Sequence, residues 1–192
     1  MLIGIAGKMK SGKSSLAQAI STKHNIPTLS FAESLRMEVA QAFFNKMSKT
    51  DARYLWSVLE EQDKTLTRPI LQAWGEGRRT LHNQDYWVDR LMSYIRRKGI
   101  VSAVIDDVRH VNEAQMIINS GGLIIRLEAS ERLLLQRGAT EYSLSHASEQ
   151  FEPLDEYLLS QDAVVRISSD GITTLGIMNR IGNIVEAFVE EE

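Results

Sequence analysis

Residues 7–14 read Gly-Lys-Met-Lys-Ser-Gly-Lys-Ser, a complete G-x-x-x-x-G-K-[ST] phosphate-binding loop. An apolar run, Leu2–Ala6, precedes it, and a helix-compatible stretch, Ser14–Lys23, follows. That strand–loop–helix setting is the one in which the motif works. The backbone of Gly7, Met9, Lys10, Ser11 and Gly12, continuing through Lys13, Ser14 and Ser15, is expected to turn its N–H groups onto a phosphate. The new helix adds the positive end of its dipole. Lys13 would reach the β- and γ-phosphates, and the Ser14 hydroxyl would be a magnesium ligand.

A second element fits the same chemistry. The apolar run from Val101 ends in Asp106 and Asp107. A carboxylate at a strand end beside such a loop can hold magnesium directly or through water. Alternation along a strand turns one of the two toward the metal and the other away. Arg109 follows, a guanidinium fork that can bind an acceptor phosphate with Asp107 fixing it, or form only a local ion pair. Residues 33–98 carry Arg36, Arg53, Arg68, Arg78 and Arg79. Arg68 and Arg78 bracket Gln72, Trp74 and Gly75, where an indole could stack on a base or serve as core. Arg132 and Arg137 lie on a later helix, followed by a polar stretch to Gln150, and would neutralise the transferring phosphoryl group. No His or Asp stands out as a base for an alcohol acceptor, although Glu33 or Asp107 could serve. An acceptor that is already an oxyanion needs none.

These groups require a scaffold. Short apolar runs at Pro27–Phe31, Ile100–Ile105, Gly122–Leu127 and Ala163–Ile167 join Leu2–Ala6 as five expected strands, read as buried on both faces. Val88, Leu91, Met92 and Ile95 make a helical stripe stopped by Gly99. Leu175, Met178, Ile181, Val185 and Phe188 make another. Strands alternating with helices predict an α/β fold, a three-layer α/β/α sandwich around a five-stranded parallel sheet with the first strand central. The core would take residues 1–32 and 99–192, a helical acceptor-binding insertion 33–98, and a lid about 137–150, all one domain.

Composition narrows the class. The 192 residues are 43% hydrophobic and 24% charged, as in an ordinary globular chain. A net charge of −3 speaks against a general nucleic-acid binder. With no cysteine, disulfides, thiolate zinc sites and cysteine nucleophiles are excluded. His24, His82, His110 and His146 show no metal spacing. No apolar run approaches membrane-spanning length, and the residues before the loop are too few for a signal-peptide core. A cytoplasmic setting is expected, that of the host if a phage encodes the chain.

Several segments together resemble the deoxynucleoside monophosphate kinases of bacteriophages and related bacterial proteins, within the nucleoside monophosphate kinase group. Phe31-Ala-Glu-Ser-Leu-Arg36 is similar to the family's F-A-D-P-L-K, and the segment Arg68 to Arg79 to its R-x-x-L-Q-x-x-G-T-E-x-x-R, with Glu76 in place of Thr. Asp85-Tyr-Trp87 resembles D-x-W, and Asp107-Val-Arg109-His-Val-Asn112-Glu113-Ala resembles D-V-R-F-P-N-E-A. His146-Ala-Ser148-Glu149 resembles H-x-S-E in the lid, and Ser169-Asp170-Gly171 an N-D-G turn near the donor's adenine. The resemblance implies magnesium-dependent transfer of the ATP γ-phosphoryl group to a deoxynucleoside monophosphate. Arg36, Arg68, Arg78 or Arg79, and Arg109 would hold the acceptor, with Gln72, Glu33, Trp74 and Glu113 shaping its site. Asp170 and Gly171 would meet the donor. Homodimers occur among such enzymes. Two other readings stand beside this one: another small-molecule kinase, for dephospho-coenzyme A or a sugar acid, and a regulatory protein that binds ATP without phosphorylating a small molecule.

Overall fold

The structure is a computed structural model that describes residues 1–144 and 149–190. The chain divides into two compact units: one of Met1–Leu29 with Gly99–Glu192, the other of Ser30–Lys98.

The first unit is built on a five-stranded, all-parallel sheet with strands β1 (Leu2–Ala6), β2 (Thr28–Leu29), β3 (Ala103–Val108), β4 (Leu123–Glu128) and β5 (Val164–Ser168). Their order is β2-β3-β1-β4-β5, which puts β1 at the centre. Helix α1 (Lys13–His24) and the C-terminal helix, α10 (Thr174–Glu190), pack together on one face. Leu16, Ala17 and Ile20 meet Ile177, Met178, Ile181 and Val185 there over Ile3, Ile5 and Ile125. On the other face lie α6 (Val111–Asn119) and α9 (Glu152–Leu159). The strands' period of two divides the residues: Ile3 and Ile5 face α1, whereas the intervening Gly4 lies against the Ile117 side chain of α6. Two short helices, α7 (Glu131–Gln136) and α8 (Glu141–Leu144), follow β4.

The strands differ from expectation at their ends. β2 is only Thr28–Leu29, because Ser30 opens helix α2 (Phe31–Phe43) in a Ser-x-x-Glu pattern that favours a helix start. β3 runs three residues further than expected, so Asp106 and Asp107 lie inside the strand rather than beyond it. β5 is an edge strand with only Ile167 fully buried, not a strand covered on both faces. In α10 the buried stripe runs through Ile177 and Met178, and Leu175 is exposed.

The second unit is helical: α2, α3 (Lys49–Gln62), α4 (Lys64–Leu81) and α5 (Tyr86–Lys98). Ser48 caps α3 by accepting from the Asp51 N–H, and Asp63 caps α4 by accepting from Thr65 and Leu66. Val39, Ala40, Ala52 and Trp56 form its small core, with Leu71 and Trp74 packed at the edge. The stripe Trp87, Val88, Leu91, Ile95 is the buried face of α5, which ends before Gly99.

Candidate functional site

The loop between β1 and α1 has the conformation its glycines allow. Gly12 takes φ 105°, and Lys10 also sits at positive φ. Gly7 lies so close beneath the loop that a Cβ would meet the Leu127 carbonyl oxygen at 2.6 Å and Ser11 Oγ at 2.8 Å. The Lys13 ammonium donates to the Lys8 carbonyl at 2.7 Å and is buried. Burial, helped by the Arg109 charge, lowers its pKa to about 8, against upward pulls from Glu149, Asp106 and Asp107.

The register between β1 and β3 shifts after Gly4, so that Asp106 and Asp107 together oppose the single residue Ile5. Such a bulge re-aims side chains and departs from the simple alternation of a regular strand. Both aspartates are half-buried, and it is Asp106 whose carboxylate accepts from the Ser14 hydroxyl, at 3.2 Å. Ser14 and Asp106 fit a magnesium ion of the kind that keeps waters and phosphate oxygens as its other ligands. Among the described residues no cluster of three or more His, Asp or Glu side chains offers an all-protein cage.

Of the two arginines after β4, the structure brings only Arg137 to the loop. Its guanidinium donates to the Lys10 and Ser11 carbonyls at 3.2 and 3.0 Å. Arg132 is exposed.

Arg109 is paired with Glu149 rather than fixed by Asp107 alone: Nη1 donates to Glu149 Oε1 at 2.6 Å. The other oxygen of Glu149 accepts from the Met9 N–H of the loop, also at 2.6 Å. Glu113, expected to shape the acceptor site, instead caps α6. It is buried, and one of its oxygens accepts from the N–H groups of Arg109 and His110 at 2.7 and 3.0 Å. It thereby fixes the turn that carries Arg109. Residues 145–148 of the expected lid, including His146 and Ser148, lie outside the described residues.

A cavity of about 580 Å³ opens beside the loop. Lys10 to Ser15 and Arg137 form one wall, and Ser169, Ile172, Thr173, Thr174 and Ile177 the other. Buried hydroxyls of Ser11 and Ser169 have no hydrogen-bond partner among the described residues. A wall of loop amides with Lys13 and Arg137, facing one of two isoleucines and three hydroxyl residues, suits a nucleotide. Asp170 and Gly171, expected to meet the donor, do not line this cavity. Asp170 instead accepts from the backbone and side chain of Ser130, the cap of α7, and so ties the turn before α10 to the helix leading to Arg137.

In the helical unit, α4 separates the expected acceptor residues by face. Arg68, Gln72, Gly75 and Arg79 recur at spacings of four, three and four, one side of a helix, and the three polar residues are half-buried. Trp74 and Arg78 lie on the adjoining side and are committed to Glu38. The Trp74 indole donates to Glu38 Oε1 at 3.0 Å, and Arg78 pairs with the same oxygen while its guanidinium lies over the Trp74 ring. Tyr86 and Arg90 bind the other oxygen. Trp74 is thus held in a structural hub around Glu38. Arg36 pairs with Glu60 at 3.0 Å, and Glu33 forms a two-bonded pair with Arg53. Glu38 and Glu149 were not among the expected site residues. Glu38 shows no local signal, while Glu149 was marked only by the H-x-S-E resemblance.

No protein-family model matches the chain, and no curated protein matches it. Among solved structures it is similar to a gluconokinase from Sinorhizobium meliloti 1021, at 14% identity and TM-score 0.49, over 98% of this chain and 93% of that one. It is also similar to shikimate kinase from Aquifex aeolicus vf5, at 16% identity and TM-score 0.47, over 97% of both chains. Dephospho-CoA kinase from Campylobacter jejuni gives 10% identity and TM-score 0.45, over 97% of this chain and 98% of that one. Likenesses this distant carry nothing about activity. The α/β fold rests on the strand order and the flanking helices described above.

Proposed function

We propose that the protein is a magnesium-dependent kinase that moves the γ-phosphoryl group of ATP onto a deoxynucleoside monophosphate. One observation carries the kinase reading: a buried Lys13, the Ser14 hydroxyl and Arg137 line one cavity of nucleotide size, and Ser14 is bonded behind it to the Asp106 carboxylate. The loop amides and Lys13 hold the phosphates, Ser14 and Asp106 hold magnesium, and Arg137 offsets charge on the transferring group. Catalysis is then positioning and charge neutralisation, with no base needed for an acceptor oxygen that is already anionic. The resemblance assigns Arg68, Gln72 and Arg79 on α4, and Arg109 after β3, to the acceptor; guanidinium forks suit its phosphate and an amide its base. The resemblance in Asp107–Ala114 and Arg68–Arg79 supports the choice of a deoxynucleotide.

An ADP-release assay tests the reading. The panel holds ribo- and deoxynucleoside monophosphates, gluconate and dephospho-coenzyme A. Turnover with deoxynucleoside monophosphates and silence with the others is expected. Turnover confined to gluconate or dephospho-coenzyme A would replace the acceptor while keeping the kinase, and ATP binding without turnover of any acceptor would leave a nucleotide-binding protein.

A further inference from the structure

We infer that Glu149 is a positioning residue that aims the Arg109 guanidinium at an anion and locks the middle of the phosphate loop. Its side chain is fully buried, and its two oxygens serve different donors. Oε1 accepts from Arg109 Nη1 and Oε2 from the Met9 N–H, both at 2.6 Å. Met9 and Arg109 are 100 residues apart in the chain, and Glu149 is the one carboxylate that these bonds show joining them. A charge-assisted bond of that length fixes a guanidinium plane as well as neutralising it. The backbone side of the same turn is fixed independently, by Glu113.

The anchor for Glu149 is firm. Phe151, two residues on, is buried with its ring 4.5 Å from the Arg126 guanidinium. Arg126 is in turn clamped by both oxygens of Asp155 on α9, at 2.6 and 2.8 Å. A buried carboxylate beside a phosphate loop is unfavourable for an incoming anion by charge alone. Held between the loop and an arginine, it offsets that repulsion by pre-setting both partners. Glutamine at this position puts an N–H₂ donor where one of the two carboxylate oxygens now accepts, so one of the two bonds is lost as placed.

The inference rests on the kinase reading only for the name of Arg109's substrate, and its test uses a simpler probe. Inorganic phosphate is titrated calorimetrically into wild type, Glu149→Gln, Arg109→Ala and the double variant, each saturated with MgADP. Melting curves and MgADP affinity are recorded alongside. Each single variant is expected to weaken phosphate binding about tenfold, the loss of one hydrogen bond to a charged group. The double variant should be no weaker than Arg109→Ala, because coupled residues are not additive. MgADP affinity should fall in Glu149→Gln, which loses the bond to the Met9 N–H of the loop, by more than in Arg109→Ala. Unchanged or tighter phosphate binding in Glu149→Gln overturns the inference, as do additive effects or failure of wild type to bind phosphate. A lowered melting temperature with normal phosphate binding assigns Glu149 to the fold alone and also overturns it. Phosphate binding that follows this pattern without turnover of any deoxynucleoside monophosphate keeps the inference and removes the proposed acceptor.

Discussion

Lys13 is the residue on which the loop's chemistry turns, and its environment makes a measurable demand. Burial and the Arg109 charge bring its pKa to about 8, so in the unliganded protein its charge is lost as pH rises through that value. A bound polyphosphate favours the ammonium and raises the pKa again. Binding of MgADP near pH 8 is therefore expected to take up a proton, and its affinity to fall at higher pH. Calorimetric titration in two buffers of different ionisation enthalpy reads the uptake directly. Lys13→Ala should show none, melt near wild type and transfer no phosphoryl group. The same lowering has a sign for stability: between about 8 and the ordinary 10.5 the unfolded chain binds more protons, so the unliganded fold gains stability as pH rises. Lys13 and Ser14 were legible because the motif is contiguous. Glu149 was not selected, because its meaning lies in bonds to Met9 and Arg109, 140 and 40 residues away.

Whole elements decide which of the sequence's candidates can act. Helix α4 turns Arg68, Gln72 and Arg79 to one side, while Arg78 is tied to Glu38 with Trp74. The 4-3-4 spacing was present in the sequence, but the engagement of Trp74 and Arg78 depends on Glu38, 36 and 40 residues away. Arg79→Ala is expected to raise the acceptor's KM about tenfold or more. Arg78→Ala should instead cost about 2 kcal/mol of stability through the hub, with a smaller change in KM. Steady-state kinetics beside melting curves separates the two. The bulge in β3 is another element-level fact hidden from pattern reading, since one extra residue leaves no trace in an apolar run followed by two aspartates. Helix α9 is held by Asp155. Burial raises the pKa of that carboxyl, but the hydrogen bond and charge of Arg126, with Arg166 adding, bring it net below 3.8. Its contribution is complete above that value and is lost as pH falls further. Asp155→Ala leaves Arg126 buried without its main partner and should cost about 3 kcal/mol, read by urea unfolding at neutral pH.

At the scale of the molecule, the five-stranded parallel sheet was legible from the alternation of apolar runs and helical stripes, and the central place of β1 from the crevice its loop must face, but the order of the other strands was not. The helical insertion was read at 33–98, beside the unit Ser30–Lys98, from the break in strand–helix alternation, since no Pro- or Gly-rich linker marks the joins. Each unit has its own buried cluster, one around Ile3 and Ile125, the other around Trp56. A ligand that binds only the folded form of a unit protects that unit, by about 2.7 kcal/mol at a hundredfold excess over Kd. If the donor belongs to the loop and the acceptor to α4, the two ligands should leave different footprints in amide hydrogen exchange. MgADP alone is expected to slow exchange in β1, α1 and β3, and a deoxynucleoside monophosphate alone in α4 and α5. Lys13→Ala should lose the first footprint and keep the second, whereas Arg79→Ala should lose the second and keep the first. A monophosphate that protects α1 and leaves α4 untouched would remove the helical unit from the acceptor's recognition while leaving the donor assignment intact.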